Sequence, residues 1–114
     1  MNTITIIRNP RCSKSRETLQ IIESRGYQAR IIDYLNGELT KELLEDIIKK
    51  LNVHPREILR TKEDEYKTLN IDFNNADEVI KAILKHPKIL ERPIVVKGNH
   101  VVIGRPPENV LKLF

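Results

Sequence analysis

The sequence has no tryptophan, only three tyrosines and two phenylalanines, and no stretch that alternates basic with aromatic residues. Without a stacking platform, the net charge of +4 does not read as a nucleic-acid surface, and no nucleic-acid partner is expected. No apolar run approaches the length of a membrane span, and Met1-Asn2-Thr3 opens no charged leader followed by an apolar segment. A soluble cytoplasmic protein with no membrane partner is therefore expected. The histidines His54, His86 and His100 are scattered without ligand spacing, so no metal site is expected. The carboxylates fall mainly on helix faces and suggest no paired-carboxylate catalysis. Internal repeats, low-complexity segments and linkers are also missing, so residues 1–114 read as one domain. Cysteine occurs once, at Cys12, which excludes an internal disulfide and agrees with a reducing compartment.

What is present follows a clear order. Thr3-Ile4-Thr5-Ile6-Ile7 is short and β-branched, as a buried central strand would be. Asn9-Pro10 stops it, and a helix follows over about 13–25 with Leu19, Ile21 and Ile22 inward and Gly26 just past its end. Gln28 to Tyr34 reads as a second strand, and a strand–helix–strand unit of this length implies a parallel pair with a right-handed crossover. After the Leu35-Asn36-Gly37 turn the chain is helical. Thr40 caps a helix with Leu43, Leu44, Ile47, Ile48 and Leu51 on one face. Pro55 opens a short helix carrying Ile58, Leu59 and Arg60, and 63–69 holds one or two turns anchored by Tyr66 and Leu69. A further helix, capped near Asn75 or Asp77, points Val79, Ile80, Ile83 and Leu84 inward and stops at His86-Pro87. Ile94-Val95-Val96 and Val101-Val102-Ile103 flank Lys97-Gly98-Asn99-His100, a strong hairpin signal, and Pro106-Pro107 starts a last short helix. The order β-α-β, helices, β-β-α predicts an α/β, thioredoxin-like fold with a four-stranded mixed sheet and a helical insertion over about 37–90.

The chemistry centres on Cys12, at the junction of the first strand and first helix. Arg8, Arg11, Lys14 and Arg16 surround it in sequence. A thiol beside a helix N-terminus and several cations should have a depressed pKa, and the same features attract an oxyanion. If the first hairpin strand runs antiparallel to the first strand, Arg92-Pro93 at its start lies beside Cys12. The second hairpin strand returns to the same end and delivers Gly104-Arg105. Arg60 is a further candidate from the insertion. Guanidinium groups suit tetrahedral oxyanions because they donate parallel hydrogen bonds and keep their charge. The residue three after Cys12 is Ser15, so this is no Cys-x-x-Cys redox centre, and a thiol adduct on Cys12 needs an outside thiol for resolution, most simply glutathione with glutaredoxin.

Three segments carry a resemblance: Asn9-Pro10-x-Cys12-x-x-Ser15-Arg16, Glu91-Arg92-Pro93-Ile94-Val95-Val96 and Gly104-Arg105-Pro106-Pro107-Glu108. Together they resemble the glutaredoxin-coupled arsenate reductase family, ArsC-like, and most closely its short YfgD-type branch. Tyr34-Leu35 and the segment from Pro55 to Arg60 also fit. The resemblance implies an arsenate reductase in which the Cys12 thiolate attacks arsenate and glutathione and glutaredoxin resolve the adduct to arsenite. It implies that Arg60, Arg92 and Arg105 hold the oxyanion, and that Ser15 hydrogen-bonds the sulfur or the oxyanion. Backbone amides from Ser13 onward, with Lys14 and Arg16 close by, would cradle the oxygens, while Asn9 shapes the loop. Pro93 matches the cis-proline of thioredoxin-like folds. No bound cofactor is implied; glutathione is a co-substrate, glutaredoxin a partner, and a monomer is expected.

Two positions depart from the family pattern. Ile7-Arg8 stands where members carry Tyr-His, so Arg8 would help to ionise Cys12 as a fixed cation, and Ser13 stands where they tend to carry glycine. Two other readings compete. One is a glutathione-linked thiol transferase with little arsenate activity. The other is an Spx-like redox regulator that binds RNA polymerase, against which Ser15 occupies the position of the second cysteine such regulators carry.

Overall fold

Ile4, Ile6 and Ile7 are fully buried while Thr5 and Arg8 are only partly so, which makes the first strand the centre of a sheet covered on both faces. The computed structural model describes residues 4–114; the expected strand start at Thr3 lies outside them. The chain forms two compact units, one from Met1–Glu38 with Arg92–Phe114 and one from Leu39–Glu91. Among the described residues no helix is long and apolar enough to cross a membrane.

In the first unit β1 (Ile4–Arg8), α1 (Ser13–Ser24) and β2 (Ala29–Asp33) form the crossover, and β3 (Ile94–Lys97) and β4 (His100–Ile103) the hairpin. The sheet order is β2-β1-β3-β4, with β1 parallel to β2 and antiparallel to β3. This is the four-stranded mixed sheet of a thioredoxin-like fold. Register fixes which residues share an end: Arg8 lies opposite Asp33, Ile7 opposite Ile94, and Ile94 opposite Ile103. The segments that follow β1, precede β3 and follow β4 thus emerge together. At the other end Gly98 takes φ +61°, the left-handed conformation that the two-residue hairpin turn requires. The 3₁₀ segment Pro107–Leu113 packs on α1 and β4, and Val110 joins Ile4, Ile6, Ile22 and Val95 in a fully buried cluster. Each such side chain contributes about 1.5–3 kcal/mol relative to exposure.

β2 is an edge strand, which explains why Ile32 is buried while Ile31, on the opposite face, stays exposed. It is shorter than the expected 28–34 because Tyr34 turns into a 3₁₀ turn that ends at left-handed Gly37. The second unit contains α2 (Lys41–Leu51), α3 (Asp64–Lys67) and α4 (Ala76–Lys85). Thr40 accepts a 3.1 Å bond from the Leu43 amide, and Asn75 accepts one of 3.2 Å from Glu78; Asn75, and not Asp77, is the cap of α4. α4 packs on α2 and on the 3₁₀ turns Pro55–Ile58 and Pro87–Ile89. Leu84 is only partly buried, because the inward face is supplied by Val79, Ile80, Ala82 and Ile83.

Candidate active site

The loop between β1 and α1 is held by its own backbone. The Asn9 side-chain oxygen accepts from the Arg11 amide at 3.0 Å, and the Asn9 carbonyl accepts from the Cys12 amide at 2.9 Å. Cys12 then occupies the N-cap of α1 in an extended conformation, and its carbonyl accepts from Arg16 at 3.1 Å to begin the helix. Its side chain caps nothing in the usual sense, and no acidic residue stands in the first turn. The sulfur therefore meets the unpaired N–H groups of Lys14 and Ser15 with the positive end of the helix dipole uncompensated. The Ser15 side chain is fully buried beneath, hydrogen-bonded to the sulfur and accepting weakly from the Asn9 amide at 3.4 Å.

The hairpin supplies the opposite wall. Arg105, just after β4, points Nη2 to within 3.5 Å of Cys12 Sγ, and its Nε donates to the Arg92 carbonyl at 2.6 Å. The Gly104 amide donates to the Pro93 carbonyl at 2.9 Å, so the two arginine-bearing segments are stitched together by backbone as well as side chain. Both the Arg92–Pro93 and the Arg105–Pro106 peptides are cis; the resemblance singled out only the first.

Gly104 is glycine for lack of space. A Cβ there would stand 2.7 Å from Thr18 Oγ1 and 2.8 Å from Pro93 Cγ. Thr18 is fully buried on α1 and its hydroxyl is already bonded to the Lys14 carbonyl at 2.7 Å, so neither neighbour yields easily. Gly104→Ala is expected to cost about 1–3 kcal/mol of stability, the usual range for overpacking. A urea titration checks this; an unchanged midpoint would contradict the close approach of α1 and the hairpin.

Burial raises the Cys12 pKa, but the amides of Ser15 and Lys14, the Ser15 hydroxyl and the Arg105 guanidinium outweigh it. The thiol is held below its ordinary value of 9.0. The sign follows for folding. The native state prefers the thiolate, so this stabilisation is complete above the unfolded thiol pKa and is lost as pH falls through the native one.

The remaining residues expected at the site are placed as follows. Arg8 donates Nε to Asp33 at 3.1 Å across β1 and β2 and is not among the groups that lower the thiol; Arg105 supplies that cation. Lys14 contributes through its amide, Ser13 is exposed at the first position of α1, and exposed Arg16 reaches back to the Pro10 carbonyl at 3.5 Å. Arg92 contributes its carbonyl, while its own Nε is shielded from solvent with no hydrogen-bond partner among the described residues. Arg60 belongs to the second unit, where it is paired with Glu63 at 3.2 Å. Thr18 and the close packing at Gly104 do not stand out in the sequence, because apolar residues alone mark Leu19, Ile21 and Ile22 as the inward face of α1. Ser15, Thr18 and Ile22 lie at helical spacing and form that face, which was the available signal.

A cavity of about 310 Å³ opens beside the loop, lined by Asn9, Pro10, Arg11, Asp33, Leu35 and Asn36. A larger one of about 480 Å³ lies in the second unit against one side of α4. Neither the thiol nor any guanidinium lines the larger one, so its size gives it no part in thiol chemistry.

The arrangement can be set beside known proteins. The ArsC family model matches residues 7–113. The chain is 45% identical over 117 residues to an arsenate reductase of Haemophilus influenzae, covering 98% of this chain and 99% of that protein. It is 42% identical over 113 residues to the protein YfgD of Escherichia coli, covering 96% and 95%. The solved structure of an arsenate reductase from Vibrio cholerae superposes with a TM-score of 0.91 at 39% identity, over 99% of this chain and 98% of that one. With nearly its whole length matched by the family model and by relatives this similar, the chain belongs to the ArsC family.

Proposed function

We propose that this protein is an arsenate reductase in which Cys12 is the nucleophile and glutathione, with glutaredoxin, supplies the electrons. One observation carries the reading: a thiol at a helix N-terminus, with an arginine donor 3.5 Å from its sulfur and a pKa below the ordinary value. The names of the Haemophilus and Vibrio relatives supply the substrate. The Cys12 thiolate would form a bond to arsenic(V) as one arsenate oxygen departs as water. Reduction to arsenic(III) takes two electrons, which two glutathione thiols provide in becoming one disulfide, while Cys12 carries the arsenic between steps.

The protein's own part is to ionise the thiol, hold the anion and steady the departing oxygen. The Lys14 and Ser15 amides and the Arg105 guanidinium can serve the thiolate first and then the oxyanion, because charge moves from sulfur to oxygen as the bond forms. The buried Arg92 Nε is a donor that an oxyanion would satisfy, and leaving it unsatisfied costs about 1–3 kcal/mol. Arg60 and the flanking Ser13 and Arg16 are further candidates for oxygen contacts. A need for glutathione suits a reducing, cytoplasmic compartment. The test is arsenate-dependent NADPH oxidation in a coupled assay containing glutathione, glutaredoxin and glutathione reductase, one NADPH being consumed per arsenite formed. No arsenite with any glutaredoxin tried, alongside turnover of disulfide substrates, would replace this reading by that of a thiol transferase.

A further inference from the structure

Arg105 reaches the thiol from the connection between β4 and the 3₁₀ segment Pro107–Leu113, two residues past the end of the strand. Its own amide donates to the Ile103 carbonyl at 2.9 Å, and Asn109, from the 3₁₀ segment, adds a second hold on the same stretch. The Asn109 side-chain amide donates to the carbonyl of Ile103 at 3.2 Å and to that of Arg105 at 2.9 Å. Both partners are acceptors, so the side chain must present its NH₂ to them, and both of its protons are used. The two bonds straddle Gly104, the residue that packs without room against Thr18 and Pro93. From there the Arg105 side chain is fixed again by Nε on the Arg92 carbonyl, leaving Nη2 aimed at Cys12 Sγ.

We propose that Asn109 is a positioning residue: by clamping the backbone on both sides of Gly104 it holds the Arg105 guanidinium against the Cys12 sulfur. The inference rests on the reading of Cys12 and Arg105 as the reactive pair, but not on arsenate being the substrate. The groups that act on the thiol come from two elements, the Lys14 and Ser15 amides and the Ser15 hydroxyl from α1, and Arg105 from the hairpin. Asn109 governs only the second, which gives its loss a signature that general loosening of the fold lacks.

The experiment is the pH dependence of Cys12 alkylation by iodoacetamide, measured for Asn109→Ala, Arg105→Ala and the double variant. Asn109→Ala should move the inflection upward toward that of Arg105→Ala, slowing alkylation about threefold at a fixed pH below it. In the Arg105→Ala background the same substitution should move nothing further, because the group it positions is gone. Asn109→Asp, which replaces the two donors by an acceptor facing two carbonyls, should shift the inflection at least as far. Asn109→Ser, keeping one donor, should fall between and serves if Asn109→Ala does not fold. An unmoved inflection in the single variants, or the same shift with and without Arg105, would overturn the proposal. Because alkylation needs no arsenate, a protein inactive on arsenate would still give a decisive result here.

Discussion

Cys12→Ser is expected to abolish turnover, lowering it by about a thousandfold or more, since no other residue can carry the reaction's covalent step. The reason lies in the ionisation of the side chain. The helix N-terminus and Arg105 bring the thiol below its ordinary value of 9.0, so more of it is ionised at a given pH than in a free cysteine. A serine hydroxyl in the same place starts far above the reach of such a shift. The fold should be unharmed, because the Cys12 side chain is only partly buried and a serine oxygen can accept from the same Lys14 and Ser15 amides. The coupled assay measures the loss, and circular dichroism the integrity of the fold. Residual arsenate turnover in Cys12→Ser above a tenth of the wild-type rate would remove Cys12 from the chemistry.

Arg105→Ala is expected to lower turnover by about 10²–10³-fold, the range found when one charged or polar donor is removed from a developing oxyanion. Two effects combine. The thiol loses the cation that stands 3.5 Å from it, so its pKa rises and less thiolate is present at a given pH. The oxyanion then loses the same donor. Arg105→Lys should recover only part of the rate. A lysine keeps the charge but cannot bond the Arg92 carbonyl through one nitrogen while presenting another to the sulfur, as the guanidinium does with Nε and Nη2. The pH–rate profile separates the effects: thiol ionisation moves the inflection, whereas loss of oxyanion contact lowers the plateau above it. If both inflection and plateau stay at wild-type values in Arg105→Ala, the guanidinium has no part in the reaction.

Comparison of Arg8 with Arg105 shows how far residue patterns could lead. Both are basic and both were expected near the thiol, Arg8 by closeness in sequence and Arg105 by the return of the hairpin. Sequence closeness misled for Arg8, because the end of β1 lies opposite Asp33 on β2 and an ion pair forms across the strands. Topology served better for Arg105, because antiparallel register fixes which ends of β1, β3 and β4 meet. Arg92 was expected through its side chain, yet its observed tie to Arg105 is a backbone carbonyl, which no pattern of side chains can reveal.

The sequence by itself determined the elements and the thiol's place among them. β-branched runs, caps and turn residues act locally, so β1, the cap at Thr40, the hairpin turn at Gly98 and the cysteine at a strand-to-helix junction could be read directly. Tertiary structure decided which charges act on that thiol. Arg8 is drawn to Asp33, while Arg105 is delivered to the sulfur by a backbone clamped between Asn109, Pro93 and the tight approach of Gly104 to Thr18. Those contacts join residues up to 93 positions apart. Ångström-scale packing of α1 against the hairpin sets them, and local propensity carries no record of such distances.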